Sequence, residues 1–246
     1  MIECLKWNVL CLVVLVFLLK GASGQDVGFD LVIPMNPENF GSSQKQLEGP
    51  TGHIIEAVLR LSDNEISYRI STSSHGYNGF YKNRYTCVTP DSKVYYEYHN
   101  DFIESLPIHD THWVSIYRRT GKKVVAQKDM AGLKVGIIYD AKALRTVIPQ
   151  SGVVYDYHTD LHMHLKKLAI GRLDAVVATD LNLQDVLSSS EEFRDLTFDP
   201  TYPLAVIPDR VMCHDTPRGH EVIELVNKAL IKLGYGTSYT KAGPQG

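Results

Sequence analysis

The chain has 246 residues, of which 44% are hydrophobic and 22% are charged, and its formal net charge is −3 at pH 7. This length is enough for one large or two small domains with a substantial buried core. A mildly acidic chain without a basic stripe offers no electrostatic basis for binding nucleic acid, which excludes that class of partner.

The first 24 residues have the pattern of a secretory signal peptide. Lys6 precedes an uninterrupted apolar run of 11 residues at 9–19, and Lys20 with four small residues follows it. Such a run is shorter than the roughly 20 residues that cross a bilayer, although a membrane anchor is the alternative. We expect cleavage after Gly24, with Ala22 at the −3 position, and a soluble mature protein.

The region from 30 to 88 alternates short apolar strands with helical patterns. The expected elements in chain order are a strand at 30–34, a helix from Thr51, a strand at 66–70, a short helix at 77–83 and a strand at 85–88. Thr51 is a suitable N-cap for the first helix. This order predicts a parallel sheet with helices on its faces.

The alternation continues through the middle of the chain. The expected elements are strands at 113–117 and 133–139, a helix from about Ala141, and a helix and strand within 159–178. Gly171 is placed to end the helix of that last unit. Asp180 is placed to cap a further helix at 181–187.

The C-terminal region carries two expected strands and the clearest helix signals of the chain. The strands lie at 204–207 and from 210 to 213. Thr216 at the N-cap, Pro217 at the first helical position and Gly234 after the last apolar residue predict one helix between them.

Four segments, in this order along the chain, resemble those of the bacterial extracellular solute-binding proteins of family 3, which serve polar amino acid importers. Asp101–Pro107 is similar to the stretch before the first crossover, and Asp129–Gly136 to the entry into the second lobe. Leu168–Val177 resembles the Gly-Arg-x-Asp-Ala-Val-Val segment, and Thr216–Gly219 the C-terminal segment.

The resemblance implies an α/β, two-lobed periplasmic binding fold of type II, in which each lobe is a sheet flanked by helices and two crossover strands join the lobes. Lobe 1 would comprise 25–111 plus 205–246, and lobe 2 would comprise 112–204. A small-molecule ligand would be held in the interlobe cleft of a periplasmic monomer, and hinge closure would follow binding. The implied partner is an inner-membrane ABC permease or a membrane sensor, and no cofactor is expected.

Two positions depart from the pattern of the family members that bind free amino acids. Those members hold the α-carboxylate with an arginine shortly after a lobe-one threonine, whereas Thr89 is followed by Asp91, Ser92 and Lys93. They hold the α-amino group with an aspartate at the position where this chain has Thr179, and Asp180 comes one place late. The identity of the ligand is therefore open.

The candidate ligand-binding residues follow predicted strands or lie in loops of the implied cleft. They are Phe40, His75, Thr89, Ser92, Lys93, Tyr139, Thr179 and Asp180. Lys93 would supply a point-charge contact to an anion, and Thr179 and Asp180 lie at the carboxyl end of a strand, where open α/β sheets bind ligands. Each also has a structural interpretation, such as a solvated loop, an N-cap or aromatic packing.

The chain has ten histidines, and three of them lie close together at His158, His162 and His164. A zinc site needs a third ligand on one helix face, and His164 points elsewhere, so we expect no metal. Glu104, His75, Asp180 and Lys93 are loose acid–base candidates for an enzyme on the same fold, for example a dehydratase. Nothing in the sequence sets a nucleophile beside a base, and we expect a protein that is not an enzyme.

Two cysteines, Cys87 and Cys213, remain after the predicted cleavage. Export places them in an oxidising compartment, where a single long-range disulfide is possible. Two buried thiols that behave as small hydrophobic residues are the alternative.

Overall fold

The computed structural model describes residues 29–35, 47, 49–96, 101–138, 148, 151–158 and 160–235. The predicted signal peptide, the candidates Phe40 and Tyr139, and the start of the helix expected from about Ala141 lie outside the described residues. Within the described ranges, no helix combines the length and the apolar character needed to cross a bilayer.

The strands join into one curled sheet. In chain order they are β1 (Leu31–Met35), β2 (Tyr68–Thr72), β3 (Cys87–Asp91), β4 (Phe102–Glu104), β5 (His109–Arg118), β6 (Lys134–Ile138), β7 (Val154–His158), β8 (Ala175–Thr179), β9 (Leu196–Phe198) and β10 (Ala205–His214). The spatial order is β2-β1-β3-β10-β5-β8-β6-β7, with β4 beside β10 and β9 beside β5.

The sheet has two parallel halves joined by antiparallel strands. β2, β1 and β3 form the first parallel half, and β8, β6 and β7 form the second. β10 and β5 lie between the halves and run antiparallel to each other and to the strand on either side. The predicted strand–helix alternation thus holds within each half, and the chain passes between the halves twice.

Helices and apolar segments cover both faces of each half. The helices are α1 (Gly49–Leu61), α2 (Ser73–Tyr81), α3 (Leu161–Ala169), α4 (Leu183–Ser188) and α5 (Pro217–Lys232). The first half packs against α1 and α5 on one face and against α2 on the other. The second half packs against α3 and α4 on one face and against Val124, Met130 and Ile148 on the other. Because both faces are covered, the five residues of β8 are all buried.

Local signals for two helices are confirmed. The Thr216 hydroxyl oxygen accepts a hydrogen bond from the backbone N–H of Gly219 at 3.1 Å, and Pro217 is the first residue of α5. Gly171 follows α3 with a φ of +74°, a left-handed conformation that glycine adopts without steric cost.

Other local predictions were wrong in detail. α1 begins at Gly49, so Thr51 lies within its first turn and is not its N-cap. Asn182 is the N-cap residue of α4, which begins at Leu183, so Asp180 does not cap it. β2 and β3 begin two residues later than expected, and α2 begins four residues earlier, directly after β2.

The two strands expected at 204–207 and 210–213 are one continuous strand, β10. Pro208 and Asp209 lie between the two predicted segments, and both residue types are rare within central strands. In the fold, β10 changes partner here, pairing with β5 through Asp209 and with β3 from Arg210. A long strand with an unfavourable centre is what a crossover between two half-sheets requires.

Candidate functional site

β5 and β10 present a defined set of side chains on one side of the sheet. Directly paired residues share a face, and successive residues alternate between faces. The register pairs Trp113 with Ala205, Thr111 with Ile207, and His109 with Asp209, and these six residues are called the crossover face. Their neighbours Asp110, His112, Val206 and Pro208 form the opposite side, called the back face.

The same alternation separates Thr179 from Asp180. Thr179 pairs with Trp113 at the end of β8 and is therefore on the crossover face. Asp180 turns to the back face, where its carboxylate lies 3.3 Å from Nδ1 of His112. Of these two candidates, only Thr179 is placed beside the buried part of the crossover strands.

Two buried carboxyl groups lie beside this face. Asp91, the last residue of β3, is 4% exposed and accepts hydrogen bonds from the Ser92 backbone N–H and the Tyr96 hydroxyl. Asp209 is 6% exposed, and its Oδ2 accepts a 2.6 Å hydrogen bond from the Thr111 hydroxyl. Neither aspartate forms an ion pair with any residue in the part of the chain that the structure describes.

Burial dominates the titration of both groups. Burial, aided by the charges of Asp209 and Glu104 and opposed by the two hydrogen bonds, raises the pKa of Asp91 to about 7. Burial also raises the pKa of Asp209 to about 7, with the Thr111 hydrogen bond lowering it and the charge of Asp110 raising it. Near pH 7 both carboxyl groups are therefore partly protonated.

Tyrosine side chains lie near enough to the two carboxyls to be affected by their charges, and one of them contacts Trp113. The indole Nε1–H of Trp113 donates a hydrogen bond to the hydroxyl of Tyr95 at 3.1 Å, with ring centroids 6.4 Å apart and an interplanar angle of 75°. The hydroxyl of Tyr77 donates to the carbonyl of Pro90 at 3.3 Å. Burial, followed by the charges of nearby aspartates, raises the pKa of Tyr77 and Tyr95 well above the usual range, so both phenols stay neutral.

Arg210 of β10 and Lys93, which follows β3, contact β4 and the loop after it. Arg210 donates from Nη1 to the Ser105 carbonyl at 2.6 Å, and its Nε lies 3.8 Å from the carboxylate of Glu104. Lys93 donates from Nζ to the Phe102 carbonyl at 3.3 Å, and its backbone N–H donates to Glu104. The Lys93 ammonium group thus has a structural partner at β4.

The other candidates in the first half have local partners. The Thr89 hydroxyl is buried and donates to the Arg210 carbonyl at 3.1 Å. The buried Ser92 hydroxyl accepts from the Val94 backbone N–H and caps a short 3₁₀ turn. His75 is exposed on α2, with Nδ1 2.8 Å from the Thr72 hydroxyl. Thr89 and Ser92 flank Asp91, whereas His75 follows the edge strand β2, two strands away from β3.

Sequence reasoning missed four residues that lie on the crossover face or near it. Asp209, Asp91, Tyr95 and Trp113 were not among the candidates, although Asp91 stands between two of them. The available signal was a charged residue within an apolar stretch, Asp209 after Leu204–Pro208. A buried carboxyl group within a strand needs a physical reason, because burying a charge is costly.

Cys87 and Cys213 form a disulfide bond between directly paired residues of β3 and β10. The bond joins positions 126 residues apart in the chain. Of the two alternatives that the sequence left open, the structure has the disulfide.

The clustered histidines occupy different environments. His164 is fully buried with Nε2 3.6 Å from the Asp156 carboxylate, whereas His162 is exposed and packs its ring edge against Phe193. Across the described ranges, no three histidine, cysteine or acidic side chains are placed to share a metal ion.

A solvent-open cavity of about 580 Å³ lies at the other end of the first half. It is lined by residues that precede β3 and follow β10, including Arg84, Tyr85, Thr86, His214 and Asp215. Because these residues are at the amino end of β3, the cavity is separate from the crossover face at its carboxyl end. Its lining contains both positively and negatively charged side chains and therefore indicates no particular class of ligand.

No protein-family model and no curated protein sequence matches the chain. Solved structures match its fold. The truncated, arginine-bound ArgBP from T. maritima is 14% identical with a TM-score of 0.62, covering 84% of this chain and 96% of its own. The GluR0 ligand-binding core in complex with L-glutamate is 14% identical, with a TM-score of 0.64 and coverages of 85% and 93%.

A third similar structure is the amino acid ABC transporter substrate-binding protein AbpA from Streptococcus pneumoniae bound to L-arginine. It is 15% identical with a TM-score of 0.60 and covers 83% of this chain and 88% of its own. At such identities the likeness establishes the fold alone. The predicted fold class, an α/β two-lobed periplasmic binding fold of type II, is confirmed.

Proposed function

We propose that this chain is an exported solute-binding protein that captures a small polar solute between its two lobes for an ABC importer. The observation that carries the proposal is the crossover face, where buried polar groups converge at the two strands that join the parallel halves. Solute pockets of α/β proteins form at the carboxyl ends of strands, and β3 and β8 both end beside this face.

The lobes are proposed as 25–111 plus 205–246 and as 112–204, with β5 and β10 as the hinge. Phe40 and Tyr139 lie outside the described residues and are proposed for the cleft because they follow β1 and β6 in the sequence. Thr179 is included for its place on the crossover face. Thr89, Ser92 and Lys93 form the lobe 1 rim, with His75 and Asp180 at its periphery.

Export to the periplasm is part of the proposal. The signal-like sequence at 1–24 supports it, and the Cys87–Cys213 disulfide is compatible with an oxidising compartment. We propose a monomer that works with an inner-membrane permease and needs no cofactor. Delivery to a membrane sensor is the alternative, since the GluR0 ligand-binding core has the same fold as a transporter's substrate-binding protein.

The test is a thermal-shift screen of the processed protein purified from the periplasm. Amino acids are tested first because the similar structures contain bound arginine or glutamate. Amines, small peptides and organic acids are tested next. A solute at 100 times its Kd should stabilise the protein by about 2.7 kcal/mol. Failure of every class to raise the melting temperature would contradict the proposal, and turnover of a bound compound would indicate an enzyme.

A further inference from the structure

One oxygen of Asp209 has no hydrogen-bond partner among the described residues. Oδ2 accepts from the Thr111 hydroxyl, whereas Oδ1 makes no hydrogen bond or ion pair, although the residue is only 6% exposed. Oδ1 is not sealed from solvent, so a bound group could reach it. Because Oδ1 has no donor among the described residues, it is available to a ligand that donates a hydrogen bond to it.

The charged groups that act on Asp209 and Asp91 are acidic, and His109, which is paired with Asp209, is kept neutral near pH 7 because burial lowers its pKa. Asp209 is close enough to Asp91 for its charge to raise the pKa of that carboxyl, and close enough to Tyr77 and Tyr95 to raise theirs. The neighbouring cations Arg210 and Lys93 donate to backbone carbonyls at β4 and the loop after it instead. An anionic solute would therefore meet repulsion here, and a cationic solute would supply the missing counter-charge.

An aromatic pair, of which Tyr95 lies near enough to Asp209 to be affected by its charge, suits the same kind of group. Tyr95 and Trp113 are held edge to face by their hydrogen bond, which fixes the orientation of both rings. Ring faces attract ammonium and guanidinium groups, most strongly where water is excluded. Trp113 is 9% exposed, so a cation placed against its ring would be largely desolvated.

We infer that the solute carries a net positive charge and that its ammonium or guanidinium group binds Asp209 close to Tyr95. This inference rests on the proposed solute-binding function and names the chemical class of the ligand. The shared chemistry is the cationic group, which either a basic amino acid or an amine without a carboxylate supplies.

Isothermal titration calorimetry of the processed protein with five probes tests the inference. L-arginine, agmatine and putrescine carry a net positive charge. The controls are L-glutamine and L-glutamate, in which one α-ammonium group is balanced by one carboxylate or outweighed by two. At least one cationic probe should bind at least tenfold more tightly than both controls. Comparison of arginine with agmatine shows whether a carboxylate is also recognised.

A pair of matched variants locates the cationic group. Asp209→Asn keeps the size of the side chain and should weaken binding of the cationic probe at least tenfold. Asp110→Asn removes an adjacent charge from the back face and should leave the Kd within twofold. Thermal unfolding of both variants checks that they fold.

A second measurement does not depend on any variant. A bound cation favours the ionised form of the buried carboxyls, so binding at pH 7 should release on average a fraction of a proton per protein molecule. The release is measured as a dependence of the binding enthalpy on the ionisation enthalpy of the buffer. Equal or tighter binding of glutamine or glutamate, with no effect of Asp209→Asn, would overturn the inference and leave solute binding intact. Absence of binding by every probe and by the wider thermal-shift panel would overturn both.

Discussion

At the scale of single residues, Asp209 carries both the inferred chemistry and a cost in stability. Its pKa is raised by burial from 3.8 to about 7, so between these values the folded protein binds more protons than the unfolded chain. Stability contributed by this group is therefore highest below pH 4, falls as the pH rises through this window, and is lowest above pH 7. A group kept at such a cost is typical of a functional site.

Replacement of Asp209 by asparagine should therefore stabilise the unliganded protein at pH 8. We expect a gain of about 1–3 kcal/mol, because a buried uncompensated charge is removed. The gain should shrink as the pH falls from 7 to 4, where the wild-type carboxyl is itself protonated. Urea unfolding at pH 8 and pH 4.5 measures it, with Asp110→Asn as the control, and a variant less stable than wild type at pH 8 would contradict the expectation.

Arg218 shows the opposite sign of pH dependence at a structural ion pair. Its Nε and Nη2 donate to the two carboxylate oxygens of Asp30 at 2.8 and 2.9 Å, and Nη2 also donates to the Glu65 carbonyl. Burial raises the pKa of Asp30, but hydrogen bonds from Arg218 and Ser67 outweigh it, so the net pKa lies below 3.8. The stability from this pair is present above pH 3.8 and is lost as the pH falls through the lower folded pKa.

Arg218→Met should lower the free energy of unfolding by about 1–2 kcal/mol at pH 7, since a bidentate charge-assisted contact is lost. The difference from wild type should narrow below pH 4. Arg194→Met is the matched control, because Arg194 pairs with Glu191 on the open surface and should cost almost nothing. Equal losses from the two variants in denaturant unfolding would refute this role of Arg218.

At the scale of elements, the disulfide links β3 of the first half to the end of β10, which returns from the second half. A cross-link between positions 126 residues apart restricts the unfolded chain more than a cross-link that closes a short loop. The packing of α1 and α5 across the same face supports these strands independently. The bond therefore adds stability to lobe 1 without being needed to define its strand order.

The double variant Cys87→Ala, Cys213→Ala should lose up to about 5 kcal/mol of stability, the chain-entropy value for a loop of this length. Wild-type protein unfolded in the presence of a reductant should show a similar loss. Denaturant melts with and without reductant provide the comparison. A reductant effect that persists in the double variant would mean that the loss has another origin.

At the scale of the whole molecule, β5 and β10 join the two halves of the sheet, and Tyr95 contacts Trp113 beside these strands. Tyr95 follows β3, whereas Trp113 belongs to the apolar cluster of the second half. A solute that binds between the lobes would change the environment of this pair. Trp113 is the only tryptophan after residue 24, since Trp7 lies in the predicted signal peptide.

Ligand binding should therefore change the tryptophan fluorescence of the processed protein, and a smaller radius of gyration in X-ray scattering should accompany it. Tyr95→Phe removes the acceptor for the indole N–H, and we expect the fluorescence change to shrink and the Kd to rise about threefold to tenfold. Tyr202→Phe, on an exposed turn, is the control. Unchanged fluorescence and scattering at saturating ligand would exclude closure at this hinge.

Local signals were sufficient for much of the fold because they depend on neighbours in the chain. The cap of α5, the stop after α3 and the strand–helix order of each half all follow from residues a few positions apart. The fold class was predicted from four segments that, in their order along the chain, resemble those of family 3 solute-binding proteins, and the solved structures of similar fold confirm it. The sequence by itself therefore determined the elements of each lobe and the kind of architecture that they build.

Only the tertiary structure decided which distant residues meet. Continuity of β10 depends on its exchange of partners between β5 and β3, and no local pattern encodes that exchange. The same pairing joins Cys87 to Cys213, directs Thr179 and Asp180 to opposite faces, and places Asp209 near Asp91 and Tyr95. These contacts arise from strand order and register, which are set by the burial of the entire sheet, and that is why the residues that characterise the site emerged from the fold.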